Sequence, residues 1–345
     1  MKLKDLKKFD TTLEIIHGDN WSQDIVTIGH YLNPTEHSIY YAKNKKFFER
    51  VMSGFKKRMN GAGLIVEKTY LKELKDSDKN QFDWIATTQN VDLSMSFVSK
   101  PFYDEKIGNL NYQLDGRQLG TAEIHPTAKI AQNVFLGDGV KIAANAMVLP
   151  NATILPFTTI DEGSIIFSNV TLYPYTRIGK RVRIHAGTSI GTDGFGYNFD
   201  KGVHHKVWHL AGVVIEDDVE IGSNTCIDAG AFIATRIGTG SKIDNLVQVA
   251  HNVQIGRGVV ICGLSGFGGS SRIGDYCVFA PKAGVAPDIT IGAQSVITAD
   301  ANVAATCPEK SMLSGHPARK HSEWLKTQAV LRRLALGKER TSDDA

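Results

Sequence analysis

An aliphatic residue at every sixth position constrains this 345-residue sequence more than any other feature. From Ile124 the step lands on Ile130, Leu136, Ile142, Val148, Ile154, Ile160, Ile166, Leu172, Ile178, Ile184 and Ile190. The rhythm stops over 191–212, resumes at Ile215, Ile221, Ile227 and Ile233, slips by four residues, and then runs from Ile237 to Val303 with Phe267 and Phe279 in phase. An α-helix would scatter a period of six around its cylinder. A plain strand needs no turn residues in every hexad, yet Gly137-Asp138-Gly139, Asn151, Gly222-Ser223-Asn224, Gly256-Arg257-Gly258 and Gly274-Asp275 keep recurring. Short strand, corner, short strand is the pattern of a hexapeptide β-helix, in which each hexad forms one face of a triangular prism and turns an aliphatic side chain inward. The 28 hexads, three to a coil, give about nine coils. Stacked at ~4.8 Å they make a prism roughly 45 Å long.

Composition sets limits around that prism. The chain is long enough for two or three units, and its net charge of +3 gives no basis for nucleic-acid binding. The four cysteines (Cys226, Cys262, Cys277, Cys307) lie in or beside the repeat without metal-like spacing, and are expected as reduced thiols at inward or near-inward positions. The lysine-rich start lacks the apolar core of a signal peptide, and no apolar run reaches the ~20 residues of a membrane span. A cytoplasmic protein is expected.

Residues 1–118 mix strand patterns (25–28, 38–42, 63–67, 83–87) with helical ones (2–8, 45–57, 92–102), which reads as a small α/β domain. The stretch 104–120 serves as linker, 119–305 as the prism domain with its excursion, and 306–345 as a C-terminal extension. The segment 321–340 there is helical, offering Trp324, Leu325, Leu331 and Leu334 for packing. From 316 to 340 it carries seven Lys/Arg against two Glu: either a solvated face or a docking surface for an acidic partner.

Three places point to chemistry. In the first domain, Tyr41-x-x-Asn44-x-x-Phe47 sets two aromatics and an amide where they could clasp a flat heterocycle; the same spacing also suits core packing. The excursion 191–212 must leave the prism as a loop. Its His204, His205 and His209, with Tyr197 and Trp208, suit a cover over a groove against a neighbouring subunit better than a metal site, since no carboxylate pair or cysteine completes a ligand set. In the prism, His251 falls two places past the inward Val249, near a corner, where a histidine can act as a general base. One coil on, Gly269 lies over it with its N–H unobstructed, as an oxyanion requires. Another coil on come Pro287 and Asp288.

These residues resemble the UDP-3-O-(3-hydroxyacyl)glucosamine N-acyltransferases of lipid A biosynthesis. The likeness covers SIYYAKNKKFF in the first domain, IGTDGFGY at 190–197, GVVIEDDVEIGSNTCIDAGA at 212–231, IDNLVQVAHNVQIG at 243–256 and SGHPARKHSEWL at 314–325. It implies a mainly β architecture: a homotrimer of left-handed parallel β-helices, with active sites between subunits, a uridine-binding N-terminal domain and a C-terminal helical extension beside the docking site of acyl carrier protein. The uracil-binding residues fall on Tyr41, Asn44 and Phe47, the catalytic histidine on His251 and the oxyanion glycine on Gly269. The implied reaction moves a 3-hydroxyacyl chain from acyl carrier protein to the 2-amine of a UDP-3-O-acylglucosamine. It needs no cofactor beyond the carrier's phosphopantetheine, and Asp244 is a carboxylate that could hold the His251 tautomer. Three departures stand out: Ala229 replaces an arginine, the excursion is richer in histidine, and Asp288 replaces a second active-site histidine, so that Asp288 would meet a sugar hydroxyl or a basic residue of the adjoining subunit, or would read an amine or hydroxyl of a different acceptor. Acetyl-CoA-dependent acetylation of a nucleotide amino sugar, and a silent binding solenoid, remain alternatives.

Overall fold

The computed structural model describes residues 1–18, 23–110, 121–315 and 318–336. The repeat forms a left-handed β-helix of three parallel sheets with ten, nine and nine strands. Most strands are two residues long and pair with the strand one coil away, as Val148 does with Ile130 on one side and Ile166 on the other. In-phase aliphatics such as Ile184, Ile190, Ile221 and Ile227 are fully buried in one continuous core.

The corners explain the six-residue period. Three places after most inward residues the backbone turns into the left-handed region, as at Asn133 (φ 59°), Asn151 (62°) and Asn252 (63°). Asparagine tolerates this region better than other side chains, and glycine adopts it freely, as at Gly187 (75°). Two places before most inward aliphatics sits a second, smaller buried residue. Where it is Ser or Thr, its hydroxyl donates to a corner carbonyl, as Ser164 Oγ to Gly179 O (2.7 Å) and Thr188 Oγ1 to Gly222 O (2.7 Å). Cys277 occupies such a place and Cys307 is also buried, whereas Cys226 is exposed and Cys262 half-buried, so the inward expectation holds for two of the four.

Two in-phase assignments differ. Ile233 belongs to no strand and is half-buried, because the four-residue slip is an outward bulge; Ile237 takes the next inward place, opposite Ile215. The repeat also continues past Val303: Cys307 bridges to Ile291, and Met312–Leu313 pairs with Val296–Ile297.

The N-terminal domain is a five-stranded sheet of order β1-β5-β4-β3-β2, with β1 (Glu14–His17), β2 (Thr27–Ile28), β3 (Ser38–Ala42), β4 (Gly63–Glu67) and β5 (Trp84–Thr88). All neighbours are parallel except β1 against β5. Alternate residues feed two cores. Ile39, Ile65 and Trp84 pack with Val98 and Phe102 of α2 (Val91–Tyr103), whereas Tyr40, Leu64 and Ile85 pack with Phe48 and Val51 of α1 (Lys45–Gly54). The excursion is a hairpin, Tyr197–Asp200 against Val203–Lys206, and it clasps α2. Asn198 Nδ2 donates to Asp92 O (2.7 Å) and Ser96 Oγ (2.8 Å), and the Trp208 ring meets Tyr103 at 4.6 Å. Within this chain the excursion is a clamp on the first domain.

Helix α3 (His321–Ala335) buries none of its residues; Trp324, Leu325, Leu331 and Leu334 are all exposed. The rest of the expected helix, like His316 and Pro317 and most of the 104–120 linker, lies outside the described residues. Among the described residues no helix is long and apolar enough to cross a membrane.

Because each coil supports its neighbours, trimming one inward side chain should be felt along the prism. Ile221→Ala, at a fully buried position, is expected to cost about 2–5 kcal/mol, read as a lowered urea midpoint. A cost below about 1 kcal/mol would mean that the core is loosely packed there.

Candidate active site

Both breaks in the repeat converge on one corner. The excursion returns to the prism hydrogen-bonded to the bulge, with Leu210 N donating to Ala231 O (2.8 Å) and Ala211 N to Gly230 O (3.0 Å). The bulge in turn meets Asn252, whose side-chain Oδ1 accepts from Ala231 N–H at 2.7 Å. Beside Asn252 stands His251, half-buried at the corner after the Gln248–Val249 strand.

His251 is held on four sides. Asn252 Nδ2 lies 3.0 Å from its Nδ1 and also donates to Ser270 Oγ (3.2 Å). Its ring edge rests on Gly269, where a Cβ would lie 2.6 Å from Nε2. Gly194 of the excursion closes the other flank, since a Cβ there would come 2.5 Å from the His251 Cβ. The His209 ring packs against it with centroids 5.2 Å apart and planes at 70°. Burial lowers the His251 pKa and so favours the neutral ring.

His209 is the residue that sequence reasoning did not place here. It is 1% exposed, and neither ring nitrogen makes a hydrogen bond of ordinary geometry among the described residues, with the Val207 backbone beside the ring. Burial, followed by the neighbouring His251 and Lys206, pulls its pKa down to about 3, so it is neutral. His204 and His205 stay on the hairpin, away from this corner. The three histidines share one loop, but only knowledge of where the loop returns singles out His209.

Gly269 N–H donates to no protein acceptor among the described residues, while its carbonyl accepts from Asp288 N–H (3.0 Å). The free donor and the His251 ring thus occupy adjacent rungs of one corner, as the eighteen-residue spacing predicts. Asp244 does not join them. It lies one corner earlier, exposed, with Oδ1 accepting from Asn245 N (2.8 Å) and Oδ2 from Gly263 N (3.0 Å). A face of the prism separates it from His251, and the residue on the imidazole is Asn252.

Asp288 sits at the next rung of the His251 corner (φ 59°) and makes a bidentate pair with Arg50 of α1, Nη1–Oδ1 3.0 Å and Nη2–Oδ2 2.9 Å. This basic partner comes from its own chain. The same guanidinium lies over the Phe47 ring at 5.4 Å, with Lys43 Nζ over it at 5.1 Å. Asn44 caps α1, its Oδ1 accepting from Phe47 N (3.3 Å), which leaves its amide N–H groups outward. Tyr41 and Phe47 do not form a clasp. Tyr41 packs on the α2 side of the sheet and Phe47 on the α1 side, because residues 41 and 42 alternate faces.

On the prism face that follows the His251 corner, a cavity of about 750 Å³ lies beneath the first domain. Arg177, Arg236, Arg272 and Lys106 line it, and among the described residues no carboxylate does. His30 stands at the cavity wall, where burial, helped by Arg272 and Arg50, holds its pKa down to about 4.

No protein-family model matches the chain. It is 43% identical over 169 residues to the UDP-3-O-acylglucosamine N-acyltransferase of Wolinella succinogenes, covering 49% of this chain and 53% of that protein. It is 38% identical over 238 residues to that of Pseudomonas syringae pv. syringae, covering 65% and 68%. The chain thus spans about half the length of the first of these relatives. Among solved structures, LpxA from Acinetobacter baumannii is similar at 23% identity over 60% of this chain and 76% of that one, with a TM-score of 0.45; the fold assignment above stands on this chain's own strand register. With 38% identity over two thirds of a relative's length, the chain belongs to the UDP-3-O-acylglucosamine N-acyltransferase family.

Proposed function

We propose that the protein transfers a 3-hydroxyacyl chain from the phosphopantetheine thioester of acyl carrier protein to the 2-amine of a UDP-3-O-acylglucosamine. The observation that carries this reading is the pairing of His251 with the unpartnered Gly269 N–H at one prism corner. The amine attacks the thioester carbonyl there, and the developing oxyanion lies against Gly269 N–H. Relatives named for this activity support the choice of substrates.

Phe47 offers an aromatic face for uracil and Asn44 an outward amide for its edge, both at the start of the helix that follows β3. We assign Tyr41 to packing beneath this surface. The Arg50–Asp288 pair ties it to the catalytic corner, which keeps the nucleotide end and the amine end of one substrate in register. The cationic cavity suits the phosphates that both substrates carry. The exposed apolar and basic side chains of α3 suit an acidic carrier protein. We also propose a homotrimer, whose grooves would cover the acyl chains; light scattering at micromolar concentration should give three times the chain mass, and a monomer would remove the groove.

The direct test is mass spectrometry of the product formed from UDP-3-O-acylglucosamine and a series of hydroxyacyl carrier proteins, with acetyl-CoA as the competing donor. Transfer from acetyl-CoA alone would favour the acetyltransferase reading. Gly269→Ala keeps an ordinary backbone but drives a methyl into the His251 ring edge. It should lower kcat by about 10²-fold with KM little changed, because displacing a reacting group by an ångström costs that much. Phe47→Ala should instead raise KM for the UDP-sugar several-fold at nearly constant kcat. Normal UDP binding by calorimetry in that variant would return Phe47 to a purely structural role.

A further inference from the structure

The prism face beneath the first domain carries a column of outward polar side chains. Arg236, Gln254 and Arg272 stack one coil apart in register, with Thr290 above them. Arg236 is paired with Glu216, and the Gln254 amide donates to Ala234 O (2.8 Å) and Asn252 O (3.2 Å). Arg272 differs. It is half-buried, its Nε has no hydrogen-bond partner among the described residues, and its guanidinium rests on the Tyr31 ring at 5.4 Å without a carboxylate beside it. A cation partly withdrawn from water is costly to leave without a counter-ion.

A second guanidinium stands close by. Phe47 and Arg50 are three residues apart on α1 and so share one face of the helix. That face meets the prism at Asp288, two rungs above His251, where two N–H groups of Arg50 are spent on the carboxylate. The fork has three more N–H groups to give. Thr290 lies two residues past Asp288 and one coil above Arg272, which sets the Asp288 and Arg272 backbones roughly 8 Å apart. Arg272 and Arg50 both lie near enough to His30 to help hold its pKa down.

We propose that Arg272 and Arg50 clamp the diphosphate of the UDP-sugar, with Asp288 as the residue that positions the Arg50 fork. The proposal rests on the acyl-transfer reading above and assigns that substrate's phosphates to two side chains. Contacts run without a gap from Phe47 through Arg50, Asp288 and Gly269 to His251. In a UDP-sugar the diphosphate separates the nucleoside from the hexose. A molecule with its base at Phe47 and its 2-amine at His251 therefore carries its phosphates past Arg50. Arg272 supplies the uncompensated charge, because Asp288 offsets that of Arg50. Planar guanidinium forks suit phosphate oxygens, which they can bind two at a time. The other cations of the cavity stand apart from the clamp: Arg177 lies four coils from Arg272, and Lys106 Nζ donates to Leu210 O (2.6 Å).

Calorimetry of the full chain with uridine, UDP and 4′-phosphopantetheine, without an acyl donor, tests the clamp. Wild type should prefer UDP to uridine by at least about 10-fold; equal affinities would overturn the proposal. Arg272→Gln removes no ion pair, so its urea midpoint should match wild type. It should weaken UDP about 10–100-fold, the worth of one charge-assisted hydrogen bond, and move uridine less than about 2-fold. Arg50→Lys keeps a charge beside Asp288 but not the fork, and should weaken UDP about 10-fold with uridine again little changed. In turnover both variants should raise KM for the UDP-sugar at nearly constant kcat. Unchanged UDP affinity in Arg272→Gln, or an equal loss of uridine and UDP, would overturn the clamp. The carrier's phosphate is the rival anion: 4′-phosphopantetheine should bind wild type and Arg272→Gln alike, and a loss confined to that ligand would also overturn it. None of these affinities depends on acyl transfer, so a protein that shows them but turns over no donor loses the acyl-transfer reading and keeps the clamp.

Discussion

Everything in this structure depends on coil stacking on coil in register. A two-residue strand has almost no stability of its own; it persists because the strands above and below satisfy its backbone and bury its aliphatic side chain. The prism is therefore rigid along its length, and what stands at one corner is fixed against what stands eighteen residues later. That coupling lets a glycine and a histidine from separate coils form a single site without a loop to hold them.

Regularity alone, however, makes a site no more reactive at one rung than at another. The corner at His251 is distinguished by two irregularities that meet there. The bulge after Ile227 brings Ala231 N–H to Asn252, and the excursion brings His209 and Gly194 against His251. The same excursion grips α2, and Arg50 of α1 grips Asp288 two rungs above. The first domain is thus fastened to the prism on both sides of the site, which suits a substrate whose nucleotide and amine must be held by different units.

This division explains what was legible in the sequence. The hexads reveal the prism, its length and the stacking of His251 under Gly269, because period and register are local properties of the chain. They misplace Ile233, since a bulge and an in-phase hexad look alike when the residue is aliphatic. Asp244 looked like the partner of His251 because it is near in sequence, but seven residues along a hexad repeat lead past a whole face to a different edge of the prism. Asn252 and His209 could not be found by spacing: one acts through a backbone N–H in the bulge, the other through the point where a 22-residue loop happens to rejoin the prism. Asp288 was a visible departure whose partner, Arg50, lies 238 residues away.

His209 raises a question of energetics. A ring nitrogen without a hydrogen bond of ordinary geometry in a residue 1% exposed costs about 1–3 kcal/mol by ordinary reckoning. An apolar side chain of similar size would fill the space without that cost. An imidazole there does something that such a side chain would not: it places polar atoms beside His251 while remaining uncharged down to about pH 3, because burial and its neighbours suppress its protonation. A carboxylate in that place would draw a proton onto His251, and a lysine would put a charge beside it. A neutral ring there adds no net charge beside His251, whose pKa is lowered by burial.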